Sequence, residues 1–319
     1  MKKIWSKIKP YLRYCILVAT LFFLWQALRE HWDEVTNIHL DGAGLTLLIT
    51  ALGITLWAHI WSGWIWCWIL AEFHQKVSPF WGIQAYLITN IAKYIPGNVW
   101  HFYARIMQAI KVGVPGEVAT VSVLLEPLLM VASALLIAII GIPSGNKGLQ
   151  ILCLITVLLG IHPRVLDPIV FRLKQLKTAK KSPISSIGKN SFSSEFSSAK
   201  PVNFHLRRYP LFPLLGELCF LGLRGTGFVI TFVALNPLSW EDVPQLLSAF
   251  SFAWLLGLVV PGAPGGVGVF EATAVALLQS QMAVGWILAS VGFYRLISIL
   301  AEVAGAGLAW LDQRVGKIH

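Results

Sequence analysis

Charge is what this chain has least of. Only 13% of its 319 residues are Asp, Glu, Lys or Arg, while 56% are hydrophobic, and the mean hydropathy is +0.69. Soluble domains carry about 25% charged residues, so a soluble globular domain is excluded and an integral membrane protein is expected. Acid is scarcer still: 15 Asp and Glu against 25 Lys and Arg give a net charge of +10. Such an excess can mark a nucleic-acid binder. Here the basic residues sit in a few loops between apolar segments and read as topology signals, so nucleic acid is not an expected partner. Cysteine is sparse as well. Cys15, Cys67, Cys153 and Cys219 lie far apart, each in or beside an apolar run and without CxxC spacing; they read as small hydrophobes. His59 and His101 lack a partner at metal-binding spacing and read as hydrogen-bonded structural histidines. No nucleotide-binding motif is present, which leaves any transport passive or ion-coupled. No cofactor, metal or catalytic residue is expected.

What is present is apolar length. Runs long enough to span a bilayer lie at 11–29, 45–71, 117–141, 149–170, 210–235 and 283–311, which predicts an all-α polytopic protein with about six full spans. The first follows a basic N-terminus (Lys2, Lys3, Lys7, Lys9, Arg13). It could be a signal peptide; lacking a small-x-small cleavage site, it reads as a retained helix. Two further apolar stretches are interrupted. Residues 80–111 are broken by KYIPGNVW (93–100) and residues 243–281 by PGAPGG (261–266). Each piece falls short of the roughly 20 residues that a span needs.

Lys and Arg in the short loops set the expected orientation. The N-terminus and the basic loop 172–208 go to the cytoplasmic side, with the tail that carries Arg314 and Lys317. The acidic segments 29–41 and NPLSWED (236–242) go outside. The count closes only if 80–111 enters and leaves from inside and 243–281 from outside. The expected organisation is thus two membrane repeats, 1–141 and 149–311, each with a re-entrant broken-helix hairpin, the second inverted relative to the first. The tips PGNVWHF (96–102) and PGGVGVF (264–270) share Pro, Gly, Val and Phe in register. Inverted repeats with paired broken helices mark a transporter site near the midplane.

Irregular backbone at membrane depth is tolerated where protein buries it or a wet cavity borders it. Two half-helix N-termini near Gly97 and Gly265 would then offer N–H groups and positive dipole ends to an anion. Packing kinks, or bent full spans, are the alternative reading of both breaks. Ionisable residues within spans are functional candidates by default: Lys93 and Arg105 flank the first tip, and Glu126 precedes Pro127. Glu217 and Arg224 are seven apart on one helix, Arg295 and Glu302 seven apart on another, and Glu271 follows the second tip. The arginines could escort a phosphate through paired hydrogen bonds; alternatively, these residues are salt-bridge partners between helices. Trp57, Trp61, Trp64 and Trp68 form one helical stripe, read as a packing or interfacial belt.

KYIPGNVWHFYARIMQAIKVGVP followed by LLEPLL, and VVPGAPGGVGVFEA followed by GFYRLIS, resemble the membrane region of the lysylphosphatidylglycerol synthase/flippase family. The likeness covers roughly residues 80–130 and 250–300 by motif and the whole chain by span pattern. It implies a multi-pass inner-membrane protein that moves a lipid with a bulky headgroup between leaflets. By matching position it implies functional roles for Lys93, Pro96, Gly97, Arg105, Glu126, Pro264, Gly265, Gly266, Gly268, Glu271 and Arg295. Arg224 joins this candidate substrate-binding set on its own mid-span position. The synthases carry a large soluble aminoacyl-transfer domain after the membrane region, whereas this chain stops at His319; synthase chemistry is therefore not expected. The expected partners are membrane lipids with phosphate headgroups, anionic or polyprenyl-type, and a separate lipid-modifying enzyme. Two other functions compete: an enzyme acting on polyprenyl phosphates, and a structural membrane partner of a separate enzyme. The tips offer no Ser for phosphoryl transfer, which weighs against the first.

Overall fold

A computed structural model describes residues 41–94, 99–141, 147–165, 208–235, 237–260 and 264–315. The expected first span (11–29), positions 172–207 of the basic loop, and Pro96 and Gly97 lie outside the described residues. Among those described there is no strand. Among the described residues nine α-helices follow one another: α1 (Gly42–Glu72), α2 (Pro79–Asn90), α3 (Trp100–Lys111), α4 (Gly116–Gly141), α5 (Lys147–Ile161), α6 (Leu211–Leu235), α7 (Val243–Val259), α8 (Val269–Leu278) and α9 (Val284–Val315). Short 3-10 turns sit at Ile91–Tyr94, Trp240–Asp242 and Pro264–Gly266.

Among the described residues five helical stretches are long and apolar enough to cross a membrane: Gly42–Glu72, Gly116–Ile139, Leu211–Leu235, Trp240–Val259 and Val284–Arg314. Four coincide with expected spans. The fifth is the first arm of the second interrupted stretch. With its leading turn that arm is 20 residues long, about 30 Å, whereas α8 has only 10 residues. The two interrupted stretches therefore differ, the first having two arms of 12 residues each.

Local chemistry sets the ends of these helices. Asp41 Oδ1 accepts the Gly44 N–H at 2.6 Å and caps α1, satisfying a donor that the first turn cannot. Pro79 opens α2, where its missing N–H costs nothing. Val260, at φ −71 and ψ 115, leaves the helix because Pro261 disfavours helical geometry in the residue before it. Gly265, Gly266 and Gly268 then turn the chain at φ 60, 72 and 84, a region that side-chain-bearing residues rarely adopt.

The helices pair in a pattern that survives exchanging the two halves. Match α1, α2, α3 and α4 with α6, α7, α8 and α9. Contact of α4 with α7 becomes α9 with α2, α4 with α6 becomes α9 with α1, and α3 with α4 becomes α8 with α9; all of these contacts exist. The α1–α6 pair, the most extensive, maps onto itself. Across it Trp61 Nε1 donates to Gly216 O at 3.0 Å, while Trp57 and Trp64 of the same stripe are exposed. The stripe is thus half helix contact and half outer face. An aromatic cluster gathers the second half: Phe228 of α6 stands 5.3 Å from Phe250, 6.0 Å from Phe270 and 5.3 Å from Tyr294, ring centre to ring centre.

Close approach makes Gly63 a sensitive position. A Cβ there would lie 2.7 Å from Ile83 Cα, a backbone atom that cannot swing aside. Gly63→Ala should push α1 from α2 and lower stability by about 1–3 kcal/mol, read by thermal unfolding in detergent. Gly53→Ala on the same helix, where the added Cβ meets open space, should lose no stability. Indistinguishable melting of the two variants would contradict the close crossing.

Candidate functional site

The ionisable residues expected from sequence come from five α-helices and, for Lys93, from the 3-10 turn Ile91–Tyr94. All of Arg105, Glu126, Glu217, Arg224, Glu271 and Glu302 are buried. Glu217 stands apart from the pairs, and the others, with Lys93, Arg295 and His59, form three groups.

In the first, Arg105 of α3 pairs through Nη1 with Glu126 Oε2 of α4. The guanidinium lies 3.8 Å from the ring centre of Tyr86 and 5.7 Å from that of Trp66. Aromatic faces on a planar cation add attraction where water is absent.

The second group is its counterpart in the other half, with the charge order reversed. Glu271 of α8 faces Arg295 of α9, with Arg295 Nε 2.8 Å from Glu271 Oε1. The remaining arginine donors close the helix break: Nη1 donates to Gly265 O at 2.6 Å and Nη2 to Gly266 O at 2.8 Å. Glu271 Oε2 accepts the Gly268 N–H at 2.5 Å. The N-terminus of α8 therefore already holds an anion, its own Glu271, and the carbonyls freed by the break already hold a cation. Sequence reasoning leaves those N–H groups open to a ligand. It does not register that the Glu three residues after Gly268 folds back onto the turn, a carboxylate favoured at that place by the helix dipole. Gly266 is held equally tightly, since a Cβ there would meet Gly257 Cα at 3.0 Å.

The third group lies between them. Lys93, just past the first broken arm, places Nζ 2.5 Å from Glu302 Oε1 of α9. His59 Nε2 of α1 lies 3.3 Å from the same oxygen and 2.9 Å from Arg224 Nη1 of α6. A guanidinium only donates, so that imidazole nitrogen accepts and the ring proton belongs on Nδ1. Tyr294 Oη donates to Arg224 O at 3.1 Å, and its ring centre is 5.3 Å from the guanidinium. Arg224 is the fourteenth residue of a 25-residue helix, so this group sits near mid-span. The two breaks meet here too: a Cβ on Gly265 would stand 3.3 Å from Tyr94 Cε1. Unspent capacity remains, because Arg224 Nε and Glu302 Oε2 have no hydrogen-bond partner among the described residues. The Lys93 side chain is 22% exposed.

The profile of the lysylphosphatidylglycerol synthase TM region matches residues 14–305. The chain belongs to that family. No curated protein matches it. Membership of the lysylphosphatidylglycerol synthase membrane-region family, with several apolar helices of spanning length, makes this a multi-pass membrane protein of lipid modification or translocation.

Against that family background the candidate residues divide by geometry. Arg105 and Glu126 pair with each other, and Glu271 and Arg295 pair with each other and with backbone of the turn, although Arg105 Nε and Arg295 Nε, like Arg224 Nε, make no hydrogen bond among the described residues. Gly265, Gly266 and Gly268 form the turn that Arg295 and Glu271 close, and Pro264 begins it. Lys93 and Arg224 keep capacity and meet at mid-span. His59, Tyr94 and Glu302 belong with them; sequence reasoning takes His59 as structural, does not single out Tyr94, and names Glu302 among the ionisable candidates without placing it in the substrate-binding set. A histidine and a glutamate inside apolar spans are the available signal.

Proposed function

We propose that the protein is a lipid translocase, acting without covalent chemistry, which moves a lipid with an anionic phosphate headgroup between the leaflets of the cell inner membrane. One observation carries this reading. Lys93, Arg224 and Arg295 stand around Glu302 and Glu271 where the two helix breaks meet, so three cations face two carboxylates. Buried charge left without a partner is costly. A phosphate with one negative charge would balance the group, and Lys93 and Arg224 have donors left to meet it.

The exchangeable helix contacts and the reversed Arg–Glu pairs support an inverted repeat with a site at the interface of its halves. In this reading the two broken stretches are re-entrant from opposite faces and both chain termini are cytoplasmic. Labelling tests the orientation: single cysteines at positions 194 and 239, in a background without the native cysteines, should react from opposite sides. Reaction of both from one side would rule out the inverted arrangement.

The function itself is tested in proteoliposomes containing fluorophore-labelled phosphatidylglycerol or phosphatidylcholine, with a membrane-impermeant quencher reporting the outer leaflet. The expected result is faster equilibration of the phosphatidylglycerol probe with protein than without, and a smaller gain for the phosphatidylcholine probe. Equilibration no faster than in protein-free vesicles would refute the proposal.

A further inference from the structure

Glu217 is a carboxyl with no ion-pair partner among the described residues. It is completely buried in α6, and neither Oε1 nor Oε2 has a hydrogen-bond partner among the described residues. The charged groups that reach it are Glu126 of α4 and Arg105 of α3, and Tyr86 of α2 faces the same group. The neighbouring Gly216 packs closely on α1, where an added Cβ would lie 2.9 Å from Ile65 and 3.0 Å from Trp68. Between Val243 and Val259, α7 carries no charged residue. Arg224 stands seven residues further along α6, about 10 Å away along its axis, and its Nη1 is directed to His59.

The local charge count does not close. Arg105 pairs with Glu126, so one guanidinium serves two carboxylates. Two carboxylates sharing one cation out of water cannot both stay ionised cheaply. An apolar residue at position 217 would leave no such imbalance, so the carboxyl calls for a use.

We propose that Glu217 is a proton-carrying carboxyl that couples lipid movement to proton movement. The ligand is H⁺. In the conformation described, Glu217 holds the proton, because no donor among the described residues is offered to its ionised form. When the helices rearrange and Arg105 turns from Glu126 toward it, the carboxylate gains a counter-ion and the proton leaves to the open side. Glu126 is then the group that must pick up a proton or a new partner. The same α6 carries Arg224, which the translocase reading assigns to the lipid phosphate; the coupling rests on that reading, whereas the proton site does not.

Two measurements on the full chain separate these claims. Infrared difference spectra of the protein in lipid nanodiscs, taken across a pH titration, should contain the carbonyl band of a buried carboxylic acid. Glu217→Gln should remove that band, and Glu217→Asp should retain a shifted one. Absence of the band in the unmodified protein, or its persistence in Glu217→Gln, overturns the proton site. In the proteoliposome assay, a pH gradient should bias the leaflet distribution of the phosphatidylglycerol probe by up to about tenfold per pH unit for one proton per lipid. Glu217→Gln should still equilibrate the probe but lose this bias, and Glu217→Asp should keep part of it. An unbiased distribution in the unmodified protein overturns the coupling even if the band is present. Absence of any lipid movement overturns the translocase reading and the coupling with it, and the infrared result then stands by itself.

Discussion

Arg105→Gln should cost about 3–5 kcal/mol of stability, the penalty for removing one partner of a buried ion pair. Arg105 is 1% exposed and Glu126 3%, so water cannot compensate the carboxylate left behind. The guanidinium also leaves the faces of Tyr86 and Trp66. The loss should be visible as a much lower unfolding temperature in detergent. The double variant Arg105→Gln, Glu126→Gln should recover most of it, because two amides of similar volume can hydrogen-bond without a buried charge. If the double variant is less stable than Arg105→Gln alone, the pair is not the source of the penalty. If neither change alters melting, the two side chains are not paired in the membrane.

Lys93 and Arg224 should behave differently. Each has donor capacity not committed to the frame, and a charge-assisted hydrogen bond contributes about 1.5–3 kcal/mol, or roughly 10- to 100-fold in rate or affinity. Lys93→Gln and Arg224→Gln should each slow translocation of labelled phosphatidylglycerol by at least about tenfold. The labelled phosphatidylcholine should be slowed less, since its own ammonium partly balances its phosphate. Lys93→Gln also strips Glu302 of its closest cation, so Lys93→Gln, Glu302→Gln is the decisive control. It should restore melting behaviour while leaving phosphatidylglycerol movement slow. Recovery of movement together with stability would mean that Lys93 is only a salt-bridge partner.

Much of the scaffold is legible in the order of residues. Spans expected at 45–71 and 210–235 are α1 and α6 to within a few residues, because apolar length is a direct reading of hydrocarbon thickness. The breaks are legible because Pro and Gly act through their own backbone. Unequal arms in the second broken stretch are not: whether Val243–Val259 extends back through Trp240 depends on a Ser239–Asp242 cap that hydropathy does not register. Ionisable residues stand out singly, but their partners do not. Glu217 and Arg224 share a face, yet two turns of rise hold them about 10 Å apart. Each instead meets residues of other helices, and such long-range pairing leaves no periodic trace in a sequence. His59 reads as a lone structural histidine for the same reason, since its two charged neighbours come from α6 and α9.

Away from the helix ends, the described interior sets Lys93, Arg105, Arg224 and Arg295 against Glu126, Glu217, Glu271 and Glu302, four of each sign. With every one of them ionised, the empty protein is internally neutral. A proton on Glu217 makes it +1, and a singly charged lipid phosphate returns it to zero. The neutral forms are therefore the fully empty and the fully loaded ones; the conformation described, with the proton on Glu217 and no lipid, carries +1 and is the form that receives the phosphate, and a change of face with proton alone or lipid alone would carry net charge through the hydrocarbon. A membrane voltage acts on net charge, at about 2.3 kcal/mol per elementary charge for each 100 mV. The two productive forms would feel none of it, and the two leak forms would meet both the voltage and the dielectric barrier. Stoichiometric exchange without electrical current would then follow from the arithmetic of eight side chains, with no separate gate needed to suppress slippage.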